Sequence, residues 1–168
     1  DRPTSGKVYI NNTDIFKMND DKLAIFRRRQ VGLIYQFYNL LPILNVKENI
    51  TLPLELDNVK PDEEEVKELL KVLGLLNRSN HLPNELSGGQ QQRTSIGRAL
   101  ITKPSIVLAD EPTGNLDSKA SEEIVSLLKK SNKELKQTII LITHNLEIAK
   151  MADRVITLED GKIVGDVK

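Results

Sequence analysis

The sequence predicts an α/β fold in which a mostly parallel sheet is interrupted by an inserted α-helical subdomain. In the second half of the chain, short apolar runs at residues 106–108 and 138–143 alternate with helical patterns, which is typical of parallel strands joined by helices. In the middle, residues 40–103 show mainly helical periodicity. We therefore expect an α/β core from residues 1–39 and 104–168, and a helical subdomain from residues 40–103.

Composition and charge narrow the class of protein. The chain has 168 residues, of which 39% are hydrophobic and 29% are charged, and this balance fits a globular protein with a sizeable core. Basic and acidic residues both number 24, so there is no basic excess and we expect no nucleic-acid partner. The basic run at residues 27–29 is better explained as a solvated helix face. There is no cysteine, which excludes disulfides.

The sequence also bears on membrane association. No apolar run approaches the roughly 20 residues that span a bilayer. The polar, turn-like start at residues 1–6 does not resemble a signal peptide. We expect a cytosolic protein without direct membrane insertion, which would work at a membrane only through other chains.

Local patterns predict the individual elements. Strands are expected at residues 8–10, 31–35, 106–108, 138–143, 154–158 and 162–164, and helices at residues 20–29, 88–102, 118–135 and 146–152. The two continuous apolar runs, 106–108 and 138–143, are typical of strands buried on both faces. Asp160-Gly161 predicts a two-residue hairpin turn between the last two strands.

The middle of the chain contains a further helix. The apolar stretch at residues 40–56 is interrupted by Pro42 and Pro53, so only part of it is expected to be helical. Pro61 is expected to open the next helix, because proline suits the first helical position. The acidic run at residues 62–65 then complements the positive end of the helix dipole.

Two carboxylates follow the apolar run at residues 106–109. The carboxyl end of a parallel strand is where open α/β sheets bind ligands, and Asp110 and Glu111 stand there side by side. Adjacent carboxylates repel each other unless a cation is near, and strand alternation sends the two side chains in different directions. The alternative is a solvated turn through residues 112–114, but a turn alone does not explain an acidic pair directly after buried residues.

A second candidate site is the run Ser87-Gly88-Gly89-Gln90, with Ser87 as the N-cap of a helix. Glycine inside a helix costs about 1 kcal/mol relative to alanine, so a pair at the start needs a reason. Close approach of a phosphate to backbone N–H groups is one. The alternative is a plain cap with a flexible entry.

These motifs together resemble the ATP-binding cassette ATPases. The resemblance rests on residues 86–93 with Gly97 to Leu100, on the acidic strand end, and on a histidine, His144, that closes the next strand. It implies a P-loop NTPase-type core with bound ATP and Mg²⁺. Asp110 would then hold Mg²⁺ through water and Glu111 would act as general base, while His144 would contact the γ-phosphate. Gln36, at the end of the strand at 31–35, would touch Mg²⁺ and the attacking water.

The resemblance also implies partners. In this family the segment Ser87, Gly88, Gly89 and Gln90 contacts ATP bound mainly by a second ATPase subunit, so a head-to-tail dimer is expected. Asp117 would bridge the two subunits, although it is also suited to cap the helix that follows. His81 lacks such motif context and is expected to be a loop residue.

Three segments resemble one subgroup of the family. Residues 27–36, 39–42 and 49–54 are similar to the ATPases of lipoprotein release and of macrolide and antimicrobial-peptide export. The expected function is therefore that of an ATP-hydrolysing exporter subunit. The apolar stretch at residues 37–56 is divided between two roles: core of the subdomain, and a groove that receives a helix of a transmembrane permease subunit.

One family motif does not occur in these 168 residues, namely the phosphate-binding pattern G-x-x-x-x-G-K-[ST]. In the family this loop, its strand and an adenine-stacking aromatic would precede Asp1. We therefore expect a truncated fold, a fragment that binds ATP weakly or not at all and is inactive alone. We further expect apolar edges to be exposed at residues 106–108 and 139–142, with self-association as the consequence.

The sequence leaves two alternative functions to consider. A cassette ATPase of DNA repair or chromosome structure would carry long coiled coils between Gln36 and Leu86, whereas that segment is short here and contains prolines. Alternatively, the chain is a non-hydrolysing interaction module that docks on membrane subunits or on an intact cassette.

Overall fold

The computed structural model describes residues 2–168, so only Asp1 of the polar start lies outside the described residues. The strands are β1 (Tyr9–Ile10), β2 (Thr13–Asp14), β3 (Val31–Ile34), β4 (Ile106–Asp110), β5 (Thr138–Ile142), β6 (Val155–Glu159) and β7 (Lys162–Val167). The helices are α1 (Asp20–Gln30), α2 (Val46–Glu55), α3 (Glu63–Val72), α4 (Gly88–Leu100), α5 (Ser118–Leu135) and α6 (Leu146–Ala149).

The central sheet has three parallel strands in the order β3-β4-β5. Ile34 lies opposite Ala109 on the first pair, and Asp110 lies opposite Ile142 on the second. The α/β prediction, with a parallel sheet and several helices between the strands, is confirmed. Because the strands are parallel and in register, their carboxyl ends meet at one edge.

The prediction that β4 and β5 are buried on both faces is wrong. Along β4, Val107 and Ala109 are buried whereas Ile106 and Leu108 are only half-buried. β5 alternates between exposed and half-buried residues and has no buried one. On β5, Ile140 is 48% exposed and Ile142 is 58% exposed. The helices cover one face of the sheet, so alternate residues lie on the open face.

The exposed-edge prediction is therefore only partly correct. β5 is an edge strand with exposed apolar side chains, as expected. β4 lies between two strands and has no free edge. Self-association stays a prediction.

Helix α4 packs closely against the buried face of the sheet. At Gly32 of β3, an added Cβ would lie 2.6 Å from the carbonyl oxygen of Ala99, so only glycine fits. One continuous apolar core joins this contact to helices α2, α3 and α5. The division into residues 1–39 with 104–168 and residues 40–103 stays a prediction.

The helix starts follow their capping residues. Asn45 and Glu48 form a capping box at α2, and Pro53 lies inside the last turns of that helix, so its prediction as a breaker is wrong. Asp62 caps α3, which begins at Glu63. Pro61 therefore precedes the cap and is not the first helical residue as predicted, because Asp62 accepts the hydrogen bonds that fix the start.

The remaining predictions concern surface elements. β6 and β7 form the expected hairpin, with positive φ angles of 47° at Asp160 and 74° at Gly161. Arg28 and Arg29 are not merely solvated, because both pair with Asp57 after α2 and so bind α1 to the helical region. Over residues 2–168, no helix is long and apolar enough to cross a membrane.

Candidate functional site at the carboxyl edge of the parallel sheet

Glu111 is the centre of a polar cluster at the carboxyl edge of the sheet. It directly follows β4, and its N–H donates to the carbonyl of Ile142 at the end of β5 over 3.0 Å. Its φ of 43° lies in the left-handed region, which is unusual for a residue other than glycine. Such backbone strain persists only where the surroundings hold it, and it occurs often at functional sites.

His144 contacts Glu111 through two nitrogen atoms. The backbone N–H of His144 donates to Glu111 Oε1 over 2.9 Å, and the ring Nδ1 lies 2.6 Å from the same oxygen. The hydroxyl of Thr143 donates to Oε2 over 3.4 Å. The ring is 84% exposed, so its Nε2 atom faces solvent. With Nδ1–H engaged by Glu111, Nε2 can donate to an anion only when the ring carries both protons.

Gln36 lies at the same edge, two residues beyond β3. Its side chain packs against Gly114, where an added Cβ would lie 2.6 Å from Gln36 Nε2. The Asn115 side chain donates to the Gln36 carbonyl over 3.0 Å. The turn after Glu111 therefore fixes both the backbone and the amide group of Gln36.

Asp110 is the exposed last residue of β4. Its carboxylate makes no hydrogen bond or ion pair within residues 2–168 and is available to a ligand. Over the same residues, no group of three acidic or histidine side chains could hold a metal ion by itself. Mg²⁺ in nucleotide sites uses one or two protein oxygens, with phosphates and water completing the shell. The carboxylate of Asp110 and the amide oxygen of Gln36 fit that donor set.

The run from Ser87 to Gln90 forms the first turn of α4. Ser87 Oγ accepts from the Gln90 N–H over 3.3 Å, and Gln90 Oε1 accepts from the Ser87 N–H over 3.0 Å, which completes a capping box. A Cβ on Gly88 would lie 2.9 Å from the Tyr38 hydroxyl, whereas one on Gly89 would make only ordinary contact at 3.8 Å. A side chain at Gly88 would have to displace the Tyr38 hydroxyl, whereas a side chain at Gly89 would displace nothing.

The first turn of α4 lies beside Tyr38 and Leu116 and makes no hydrogen bond to the cluster around Glu111 within the described residues. Within residues 2–168, no residue of the segment 87–90 forms a hydrogen bond with Asp110, Glu111 or His144. Asp117 caps α5 by accepting from the Ala120 N–H over 2.9 Å, as the capping alternative predicts.

His81 lies in the loop as expected, with its Nε2 2.8 Å from Arg78. Its backbone carbonyl accepts from the first N–H of α2, at Val46, over 3.0 Å. The contact is structural and lies outside the cluster at the carboxyl edge.

Comparison with known proteins agrees with this geometry. A sequence model of the family described as "ABC transporter" matches residues 1–114. The chain belongs to the ABC transporter family. Its three parallel strands and intervening helices are accordingly those of a P-loop NTPase-type cassette.

Curated relatives are similar over nearly the whole chain. An ABC transporter ATP-binding protein of Thermotoga maritima is 47% identical over 98% of this chain and 71% of its own length. A protein of Colwellia psychrerythraea named lipoprotein-releasing system ATP-binding protein LolD is 45% identical over 97% of this chain and 64% of its own length. The resemblance to the lipoprotein-release subgroup is thereby confirmed.

Two solved structures share the fold. The cassette MJ0796 of Methanocaldococcus jannaschii, in a dimeric post-hydrolysis state bound to ADP and Pi, matches with a TM-score of 0.87 and 42% identity. A second dimeric structure of MJ0796 matches with a TM-score of 0.86. Each match covers 100% of this chain and 75% of the solved chain.

Sequence reasoning missed the residues that hold Gln36 in place. These are Asn115, which binds the Gln36 carbonyl, and Arg98, whose guanidinium binds the carbonyls of Tyr38 and Asn39. Arg98 stands in the motif from Gly97 to Leu100, but its role was not predicted, because an arginine inside a helix is usually solvated.

Proposed function

We propose that this cassette is the ATP-hydrolysing subunit of an ABC exporter of the lipoprotein-release type. The observation that carries the proposal is the convergence of Gln36, Asp110, Glu111 and His144 at one edge of a parallel sheet. Parallel α/β sheets bind their ligands at this edge. The carboxylates, amide and imidazole present there suit a magnesium nucleotide and the water that attacks it.

Each residue has a distinct role in this proposal. Glu111 accepts a proton from the attacking water, and the two contacts from His144 fix the orientation of its carboxylate. His144, whose side chain is exposed, contacts a terminal phosphate through Nε2. Asp110 and the Gln36 amide hold Mg²⁺, which when bound offsets negative charge on the phosphates.

The first turn of α4 serves a second subunit. In the segment Ser87, Gly88, Gly89 and Gln90, the capping box uses the N–H groups of the first and last residues, and the N–H groups of the two glycines face ATP held by a partner cassette. Head-to-tail association of two copies would complete two sites. Asp117 caps α5, and Ala120 in the first turn of that helix lies near Gly89. Asp117 would therefore line the same interface.

The proposed partners in the membrane are permease subunits. Three apolar side chains between β3 and α2 are exposed: Phe37 by 74%, Ile43 by 83% and Leu41 by 42%. Large apolar groups clustered on a surface are typical of interaction sites. A permease helix seated there would place this cassette at the cytoplasmic face of the membrane, and the transported substrate would contact only the permease.

We also propose that residues 1–168 by themselves bind MgATP weakly. The sequence contains no G-x-x-x-x-G-K-[ST] loop, whose backbone amides and lysine supply the main phosphate contacts in P-loop proteins. Equilibrium dialysis with labelled ATP tests this, and submicromolar binding would contradict it.

The hydrolytic role is tested by Glu111→Gln in the full-length native protein. This change keeps the size of the side chain but removes the general base, so kcat for MgATP should fall by about 10²- to 10⁴-fold with little change in KM. Glu147→Gln is the matched control, because Glu147 is an exposed residue of α6 paired only with Lys150. Equal kcat values for both variants and the wild type would refute the role of Glu111.

A further inference from the structure

Helix α4 holds the segment that carries Gln36, which we call the Gln36 segment (residues 35–39). The Arg98 guanidinium donates from Nη1 to the Asn39 carbonyl over 2.6 Å and from Nη2 to the Tyr38 carbonyl over 2.9 Å. Desolvation by burial lowers the pKa of Arg98, but an arginine in this setting stays charged. These are therefore charge-assisted hydrogen bonds in a partly buried site.

The bonded carbonyls belong to an unusual backbone. Tyr38 has a φ of 56° and Asn39 a φ of 49°, so two consecutive non-glycine residues lie in the left-handed region. Non-glycine residues adopt this region only when their surroundings compensate for the strain. The planar fork of Arg98 binds both carbonyls at once, which is the compensation that the structure provides.

The other end of the Gln36 segment is held by the same helix. Gln92 is fully buried, and its Nε2 donates to the Tyr35 carbonyl over 3.4 Å. The Tyr38 ring also reaches back to the first turn of α4, where its hydroxyl limits the space beside Gly88. The Gln36 segment thus meets α4 at its first turn, its middle and its last turn.

We propose that Arg98 and Gln92 are positioning residues that fix Gln36 to helix α4. These two side chains bind the backbone on both sides of Gln36, at the carbonyl of Tyr35 and at the carbonyls of Tyr38 and Asn39. This inference rests on the proposed function for the role of Gln36, but the attachment of the segment can be measured independently.

The test compares Arg98→Met with Arg98→Lys in the full chain by amide hydrogen exchange. Methionine keeps much of the apolar stem but has no donor, and lysine keeps the charge without the fork. We expect exchange at the amides of Tyr38 and Asn39 to accelerate by roughly 10- to 100-fold in Arg98→Met, with Arg98→Lys intermediate. If only stem packing matters, Arg98→Met will behave as the wild type.

Arg93→Met is the matched control on the same helix. Arg93 pairs with Glu123 and binds the Leu73 carbonyl, away from the Gln36 segment, so its loss should leave exchange at residues 38 and 39 unchanged. Near-ultraviolet circular dichroism gives a second readout, since the chain has no tryptophan and two of its three tyrosines lie in the segment. The tyrosine signal should change in Arg98→Met and not in Arg93→Met.

The outcomes separate the inference from the proposed function. Unchanged exchange in Arg98→Met, or equal acceleration in both methionine variants, overturns the attachment. In MgATP turnover by the full-length native protein, Arg98→Met should lower kcat towards the value of Gln36→Ala without raising KM comparably. If Arg98→Met exchanges faster but keeps a normal kcat, while Gln36→Ala has a lowered kcat, the positioning role of Arg98 is overturned. If Gln36→Ala itself turns over normally, the proposed role of Gln36 fails, while the exchange data still decide the attachment.

Discussion

Replacement of Asn49 by alanine should destabilise the fold far more than its small size suggests. Asn49 is fully buried at the start of α2, and its side chain makes four hydrogen bonds. Its Oδ1 accepts from the Leu41 N–H over 2.8 Å, and its Nδ2 donates to the carbonyls of Leu44 over 2.8 Å and of Leu41 and Asn45 over 3.1 Å each. The side chain therefore folds residues 41–45 onto the helix.

The expected loss of unfolding free energy follows from the backbone groups that alanine would leave unpaired. The carbonyls of Leu41 and Asn45 keep backbone donors, from the N–H groups of Leu44 and Asn49 respectively. The Leu41 N–H and the Leu44 carbonyl lose their partners, and loss of each of these partly buried hydrogen bonds costs about 1–3 kcal/mol. We expect Asn49→Ala to lower the free energy of unfolding by about 3 kcal/mol, within a range of roughly 2–6 kcal/mol.

Equilibrium urea denaturation measures this loss. Asn84→Ala is the control, because Asn84 is exposed and makes no side-chain hydrogen bond within the described chain. The m-value should stay constant while the midpoint falls. A loss below about 1 kcal/mol, comparable with that of the control, would refute the claim that the Asn49 network orders this segment.

Two further predictions concern packing and pH. Gly32→Ala should lower the free energy of unfolding by more than about 3 kcal/mol in the same urea assay. The added methyl group would meet the Ala99 backbone, which cannot rotate away as a side chain can. A variant as stable as the wild type would contradict the close contact of α4 with the sheet. Hydrogen bonding from Arg29, with a further contribution from Arg28, holds the pKa of Asp57 below its ordinary 3.8. The resulting stabilisation is present above pH 3.8 and is lost as the pH falls through the lower folded value. Asp57→Asn should therefore remove part of the acid dependence of the unfolding free energy, and an unchanged pH profile would contradict this ion pair.

Much of the fold follows from local signals that nothing in the tertiary structure opposes. The amphipathic pattern predicts α5 with its observed bounds, and Ser87 predicts the N-cap that starts α4. The carboxyl-edge cluster was predictable because parallel strands end together, so any polar residues just after them must meet.

Other features depend on tertiary contacts that the sequence does not encode locally. Residues 139–142 of β5 are uniformly apolar, so their sequence could not indicate that one face would be open. Pro53 lies inside α2, although a proline at that place removes one backbone hydrogen bond of the helix. The role of Arg98 depends on a loop some sixty residues earlier in the chain. The left-handed backbone at Glu111 likewise results from its contacts with β5 and His144.

Paramagnetic relaxation tests the central claim most directly. With Mn²⁺ in place of Mg²⁺, millimolar ATP should broaden the amide signals of Gln36, Asp110, Glu111 and His144 in the ¹⁵N-labelled chain, most strongly at Asp110. The amides of a polar hollow on the surface, lined among others by Tyr9, Asp14 and Lys17, should be unaffected. Asp110→Asn should weaken the effect at all four positions. The strongest broadening at Lys17, or at the acidic start of α3, would contradict the placement of the metal nucleotide at the carboxyl edge of the sheet.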